Sequence, residues 1–193
     1  AKAGDGGRAV CERLESRPAF VPLTPPTPDS ILADVRAVAE GIAVPERGSR
    51  LVDEMRAKMA ALTESIAADA STPVVGTIEW MDPMMTGGNW MPELVEMAGG
   101  TSAFGTAGQH SPWLAWKSFS AANPDVIVVL PCGYGLAQTR SEIGELTSLP
   151  GWESLSAVRD GRVFLTDGHQ FFNRPGPRIV QSLQILIEIL HPE

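Results

Sequence analysis

Between Glu79 and Pro92 the chain reads Glu-Trp-Met-Asp-Pro-Met-Met-Thr-Gly-Gly-Asn-Trp-Met-Pro, which gathers Trp80, Trp90, Met81, Met84, Met85, Met91 and a Gly87-Gly88 pair into one short segment. A tryptophan offers a large, stiff apolar face with a single donor. Methionine offers a soft surface that adapts to irregular shapes, and glycine lets the backbone approach a ligand closely. Together these suit a large, partly apolar ligand. The competing reading is that the side chains cap the local core; it weighs most for Trp80, which directly extends a strand, whereas Trp90 beside two glycines is expected to be exposed.

Two further loops carry similar material. Pro131-Cys132-Gly133-Tyr134-Gly135 holds the single tyrosine of the chain, as either a ligand contact or part of a plain turn. It is too short and too poor in lysine for a phosphate loop. Asp167 to Pro177 holds Phe171 and Phe172, which a tight loop cannot both turn inward, followed by Asn173 and Arg174, either helix-capping groups or ligand contacts.

Catalytic chemistry finds no anchor. There is no Gly-x-Ser-x-Gly elbow. His110, His169 and His191 are scattered without metal-ligand spacing; His169 stands out only for lying in the third loop. The acidic pairs Asp53-Glu54 and Glu142/Glu145 fall on helix surfaces, where solvated faces are the ordinary reading. No catalytic residue, metal site or cofactor is expected. Cys11 and Cys132 are far apart and belong to no C-x-x-C pair, so two free thiols are expected. The net charge of −8 argues against nonspecific nucleic-acid binding, which needs basic surface to neutralise phosphates. No apolar run is long enough to cross a bilayer, and no signal peptide is present.

The elements that must position these loops follow from hydrophobic period. Ala19 to Leu23, flanked by prolines, reads as at most an edge strand. A helix begins at Pro28, capped by Thr27, and stops near Gly41. A longer one runs from about Pro45 to Ala70, roughly 35–40 Å. Its single apolar stripe suggests a strut along two bodies rather than a core element. Val74–Trp80, Asp125–Leu130 and Arg162–Thr166 read as strands, the second apolar throughout, as in a parallel strand covered on both faces. Helices are expected over 93–98, from Ser111 to about Ala122, over 136–149, and after Pro177. Strands alternating with helices give an α/β fold with a mostly parallel sheet flanked by helices. Ligands gather at the carboxyl ends of such strands, where the three loops emerge.

At this point the residues resemble a known family. Glu79 to Pro83 followed by Gly88 to Gly100 is similar to the second-lobe signature of cobalamin-binding solute-binding proteins of ABC importers. Asn123 to Val128, Pro131-Cys132-Gly133, Gly161 to Phe164 and Phe171 to Arg178 extend the likeness in order. The resemblance implies two α/β lobes joined by one long helix, with ligand in the cleft; relatives bind iron-siderophores or haem on the same architecture. It implies that residues 72–193 form the second lobe, that 45–71 form the joining helix, and that 1–44 are a remnant of the first lobe, so that most of one cleft wall is missing. It further implies an extracytoplasmic protein that binds a corrinoid such as cobalamin and hands it to the permease. Trp80, Met81, Trp90, Phe171 and Phe172 fall where the family lines its cleft, with Tyr134 as a further contact. Glu93, and second Glu96, are the candidates for docking to permease arginines, against the alternative that Glu93 only complements the helix dipole. An α/β enzyme or sensor domain using the same loops is the alternative from another class.

Overall fold

The computed structural model describes residues 5–16 and 18–192. A first helix, α1 (Asp5–Arg13), leads into residues 18–26, which form no strand. The expected edge strand at 19–23 is therefore absent. Pro18, Pro22, Pro25 and Pro26 remove the donors that a ladder would need. Helix α2 (Pro28–Gly41) starts as the sequence predicts: the Thr27 side chain accepts from the Ser30 N–H, and Ser30 returns a bond to the Thr27 backbone, a reciprocal cap.

Helix α3 covers Pro45–Glu64, shorter than expected. Its 20 residues span about 30 Å, and it ends where the Ser65 hydroxyl donates back to the Leu62 carbonyl at 2.6 Å. Nor is it a strut outside the core. Val52, Met55 and Met59 are buried in the same cluster as the sheet residues Val75, Val126 and Val128. Helices α2 and α3 close on each other at Gly48, where a side chain would overlap the Ala39 methyl. The ion pairs Arg36–Asp53 and Arg56–Asp29, each 3.3 Å, link the same helices but are exposed and contribute little.

The remaining elements are β1 (Val74–Trp80), β2 (Met85–Thr86), α4 (Met91–Met97), β3 (Thr101–Ser102), α5 (Trp116–Ala122), β4 (Val126–Val129), α6 (Leu136–Glu142), α7 (Gly144–Thr147), α8 (Ser156–Arg159), β5 (Val163–Leu165) and α9 (Ile179–Leu190). A π-helical turn, Gly168–Phe172, lies between β5 and α9. The sheet order is β2-β1-β4-β5, with β3 pairing the start of β1. Strands β1, β4 and β5 are parallel, with Val75 opposite Val126 and Ile127 opposite Val163; only β2 runs antiparallel. The sheet is thus mostly parallel and flanked by helices, as the alternating pattern predicts.

Two helix boundaries differ from expectation. The segment from Ser111 does not become helical until Trp116, because residues 112–114 pair with β2 instead. The run 136–149 breaks at Ile143 into α6 and α7. The two sheet faces carry separate cores. Val75, Val126, Val128 and Leu130 pack with α3, α4 and α9 on one face. Ile78, Ile127 and Val129 pack with Phe119, Leu146 and Trp152 on the other.

Gly48 offers a direct test of the α2–α3 contact. On helix propensity alone, alanine would gain about 0.5–1 kcal/mol over glycine. Overpacking against Ala39 costs about 1–3 kcal/mol and should win. Gly48→Ala is expected to lower the melting temperature by a few degrees, at roughly 2–4 °C per kcal/mol. A raised melting temperature would show that the helices are not in tight register there.

Candidate functional site

Because β1, β4 and β5 are parallel, they end on one edge of the sheet, at Trp80, Val129 and Leu165. The loops 80–92, 131–135 and 167–177 leave from that edge. A fourth segment joins them. The Thr86 N–H donates to the Pro112 carbonyl and the Leu114 N–H to the Met84 carbonyl, both at 3.0 Å. The Gly108 N–H likewise donates to the Asn89 carbonyl at 3.0 Å. Residues 108–114 are thereby laced to the first loop.

Of the predicted ligand contacts, Trp80 and Tyr134 come together. Their rings meet edge to face, centroids 5.3 Å apart at 67°. The Trp80 indole N–H donates to the Asp82 carbonyl (3.0 Å), and the Tyr134 hydroxyl donates to Glu142 (2.7 Å). That bond holds the phenol above its ordinary pKa. Both rings keep part of their surface in solvent. Trp90 is half-buried rather than fully exposed; its indole N–H donates to the Phe172 carbonyl at 3.2 Å. Phe171 beside it is half-buried as well.

Two predicted contacts are core residues instead. Met81 is 4% exposed and packs with Ile78 and Phe119, and Phe172 is 1% exposed and packs with Leu130 and Ile179. Each follows its strand or turn inward, where a ligand cannot reach it. Asn173 does not cap α9. With its amide nitrogen turned toward the carbonyls of Gly168 (2.7 Å) and Pro131 (3.1 Å), it ties the third loop to the second. His169 is exposed, its Nδ1 3.4 Å from the Arg174 guanidinium. Among the described residues no cluster of His, Cys, Asp and Glu could hold a metal. Cys11 and Cys132 are both free thiols.

Glu79 is the residue whose part the motif reading misses. It is 7% exposed, on β1 below the first loop. Its carboxylate accepts from the Ser111 hydroxyl at 2.5 Å and from the Gly88 backbone, while its carbonyl accepts from the Cys132 N–H at 2.9 Å. One residue thus clasps three loops. Burial pushes its carboxyl above the ordinary glutamate range, against the opposing pull of those hydrogen bonds and of His110. Burial, then the Glu79 charge, pushes the Cys132 thiol up to about 11. Strand alternation could have found it: Glu79 shares a face with Val75 and Thr77, all buried.

Glu93 is half-buried in a groove lined by Asp29, Leu32, Arg56 and Met97, and burial followed by the charges of Asp29 and Glu96 raises its pKa. Glu96 is exposed. A separate apolar groove of about 420 Å³ lies between α2, α3 and the end of the third loop, lined by Leu23, Val38, Ile42, Leu51 and Pro175.

The site is thus a set of loops, aromatic in part and laced by hydrogen bonds, at the carboxyl edge of a parallel α/β layer. The sequence model described as "Periplasmic binding protein" matches residues 8–169, and the chain belongs to that family. No curated protein sequence matches significantly. Among solved structures, the chain is similar to an ABC transporter substrate-binding protein from Listeria monocytogenes EGD-e (16% identity, TM-score 0.77, 91% of this chain and 68% of that one). It is also similar to a periplasmic haem-binding protein from Roseiflexus sp. RS-1 (26%, 0.72, 86% and 64%). A periplasmic vitamin B12 binding protein of Vibrio cholerae aligns at 22% and 0.69, over 87% and 63%. With a periplasmic binding protein from Veillonella parvula DSM 2008 included, the chain spans 57% to 68% of the length of these proteins. Among the described residues no helix is long and apolar enough to cross a membrane.

Glu79 makes stability pH-dependent in a defined direction. Its folded pKa lies above the unfolded value of 4.5, so its share of stability is fully present below that pH and is lost as pH rises through the folded pKa. Glu79→Gln, neutral throughout, should gain stability relative to the parent across that rise. Melting curves from pH 4 upward check this; a stability difference independent of pH would show that the carboxyl is not desolvated.

Proposed function

We propose that this chain forms one lobe of the solute-binding component of an ABC importer, and that its ligand is a corrinoid such as cobalamin. The observation that carries this reading is the carboxyl edge itself: Trp80 and Tyr134 locked edge to face, and Trp90 and Phe171 on the first and third loops against the core of the other sheet face, all partly open to solvent. Broad aromatic faces with few charges suit a large conjugated macrocycle. The protein would bind its ligand and deliver it unchanged. Haem and ferric siderophores are the alternatives within the class, haem being supported by the Roseiflexus likeness.

In this reading residues 72–193 are the second lobe, 45–71 the joining segment, helical over Pro45–Glu64, and 1–44 the end of the first lobe. The exposed Leu23, Val38, Ile42 and Leu51 around the apolar groove would then be covered by the rest of that first lobe. The site of action would be extracytoplasmic, beside a membrane permease. Of the two docking candidates, Glu96 is free to meet permease arginines, while Glu93 is already half-buried against α2.

Titration of the full two-lobed protein with cyanocobalamin, haemin and a ferric siderophore tests this directly. The corrinoid is expected to bind with the highest affinity. Trp80→Ala should weaken that binding at least tenfold, the scale of losing a large aromatic contact. Glu96→Lys should leave affinity unchanged and lower uptake in cells. Preferential binding of haemin or the siderophore would replace the corrinoid, and binding of none would overturn the reading.

A further inference from the structure

Strand β1 carries two buried polar side chains on the face it shares with Val75, and both turn to the same loop. The Gly87 N–H donates to the Thr77 hydroxyl at 3.2 Å. The Gly88 N–H donates to the Glu79 carboxylate. One residue on, the Asn89 N–H donates to the Gln109 carbonyl at 2.5 Å. Three successive backbone donors of the first loop are thus taken by acceptors outside it. The packing leaves no slack there: a side chain on Gly87 would overlap the Thr77 hydroxyl, and one on Gly88 would overlap the Ser111 backbone.

Glu79 stands where two segments meet. Its carboxylate also accepts from the Ser111 hydroxyl at 2.5 Å. One buried group therefore holds the first loop by a backbone donor and residues 108–114, which include the 62% exposed Trp113, by a side-chain donor. The titratable groups facing it are His110 of that same segment and the Cys132 thiol of the second loop. A buried carboxylate is costly, and an apolar side chain at this position would avoid the cost. It could not accept from two segments at once. An amide could keep both bonds, its oxygen taking the Gly88 N–H and its NH2 donating to the Ser111 oxygen.

We propose that Glu79 is a positioning residue for ligand binding: from beneath the site it sets residues 108–114 against the first loop, so that affinity depends on a side chain the ligand does not touch. The proposal rests on the importer reading given above. Loops fixed before the ligand arrives lose little further freedom on binding, and that is the advantage the latch supplies. Removing it leaves the Gly88 N–H and the Ser111 hydroxyl without their acceptor.

The test uses the full two-lobed protein and compares the parent with Glu79→Met, Ser111→Ala, Glu79→Gln and a core control, Val52→Ala, whose side chain is buried in the α3 packing. Hydrogen–deuterium exchange is measured without ligand, melting temperature is recorded, and each protein is titrated with cyanocobalamin, haemin and ferrichrome. In Glu79→Met, exchange in residues 86–92 and 108–114 should rise at least tenfold with β4 unchanged, and affinity for the probe that the parent binds should fall about tenfold, the scale of a lost buried hydrogen bond. Ser111→Ala should loosen chiefly 108–114. Glu79→Gln should recover most of the parent affinity. Val52→Ala should lower the melting temperature and leave loop exchange and affinity at parent values, which separates positioning from stability. Unchanged loop exchange in Glu79→Met overturns the proposal whatever the ligand, and so does a Glu79→Gln affinity as low as that of Glu79→Met. If the loops loosen but a probe bound by the parent is bound equally well, the proposal fails while the importer reading stands. If the parent binds none of the three, the importer reading fails and this proposal with it.

Discussion

The parallel pairing of β1 with β4 and of β4 with β5 is the constraint from which the rest of this structure follows. It begins at the amino ends, where the Asp125 carboxylate accepts from the Val74 N–H and the Asp125 N–H donates to the Val74 carbonyl, each at 2.8 Å. Once that register is set, every strand must be entered from one edge and left at the other. The chain returns through helices that cover both faces, and the loops rich in aromatic residues, methionine and glycine can only accumulate at the carboxyl edge.

What fixes those loops relative to each other is polar. The apolar cores hold the strands and helices and anchor the first loop through Met81, Met84 and Met91, and the third through Phe172. Beyond those anchors the loops are tied by Glu79 to Ser111 and Gly88, by Asn173 to Gly168 and Pro131, and by the backbone ladder between β2 and residues 112–114. A buried carboxylate is costly unless its hydrogen bonds are made. Glu79 makes them, and its raised pKa records the desolvation that remains. The result is an edge whose aromatic groups are set by the fold.

Hydrophobic period made the fold class legible, because strands buried on both faces read as unbroken apolar runs and the helices carry clear stripes. Where the period was silent, the sequence misled. The stripe on α3 looked like that of an isolated strut, since nothing in it says that α9 and the sheet lie across from it. Residues 111–115 looked helical because their pairing partner, β2, is only two residues long and leaves no signal of its own. At the site, composition picked out Trp80 and Tyr134, which do meet, but composition cannot tell which side chain of a cluster turns inward. Met81 and Phe172 do; Trp113, in a segment with no motif, does not. Glu79 was visible only through strand alternation.

The central claim is that ligand meets this protein at the carboxyl edge of the sheet, against loops that are already in place. Hydrogen–deuterium exchange with and without saturating cyanocobalamin tests it most directly. Protection should appear in residues 80–92, 108–114 and 131–135, with the groove between α2 and α3 unchanged. Protection confined to that groove, with the carboxyl-edge loops unaffected, would contradict the account.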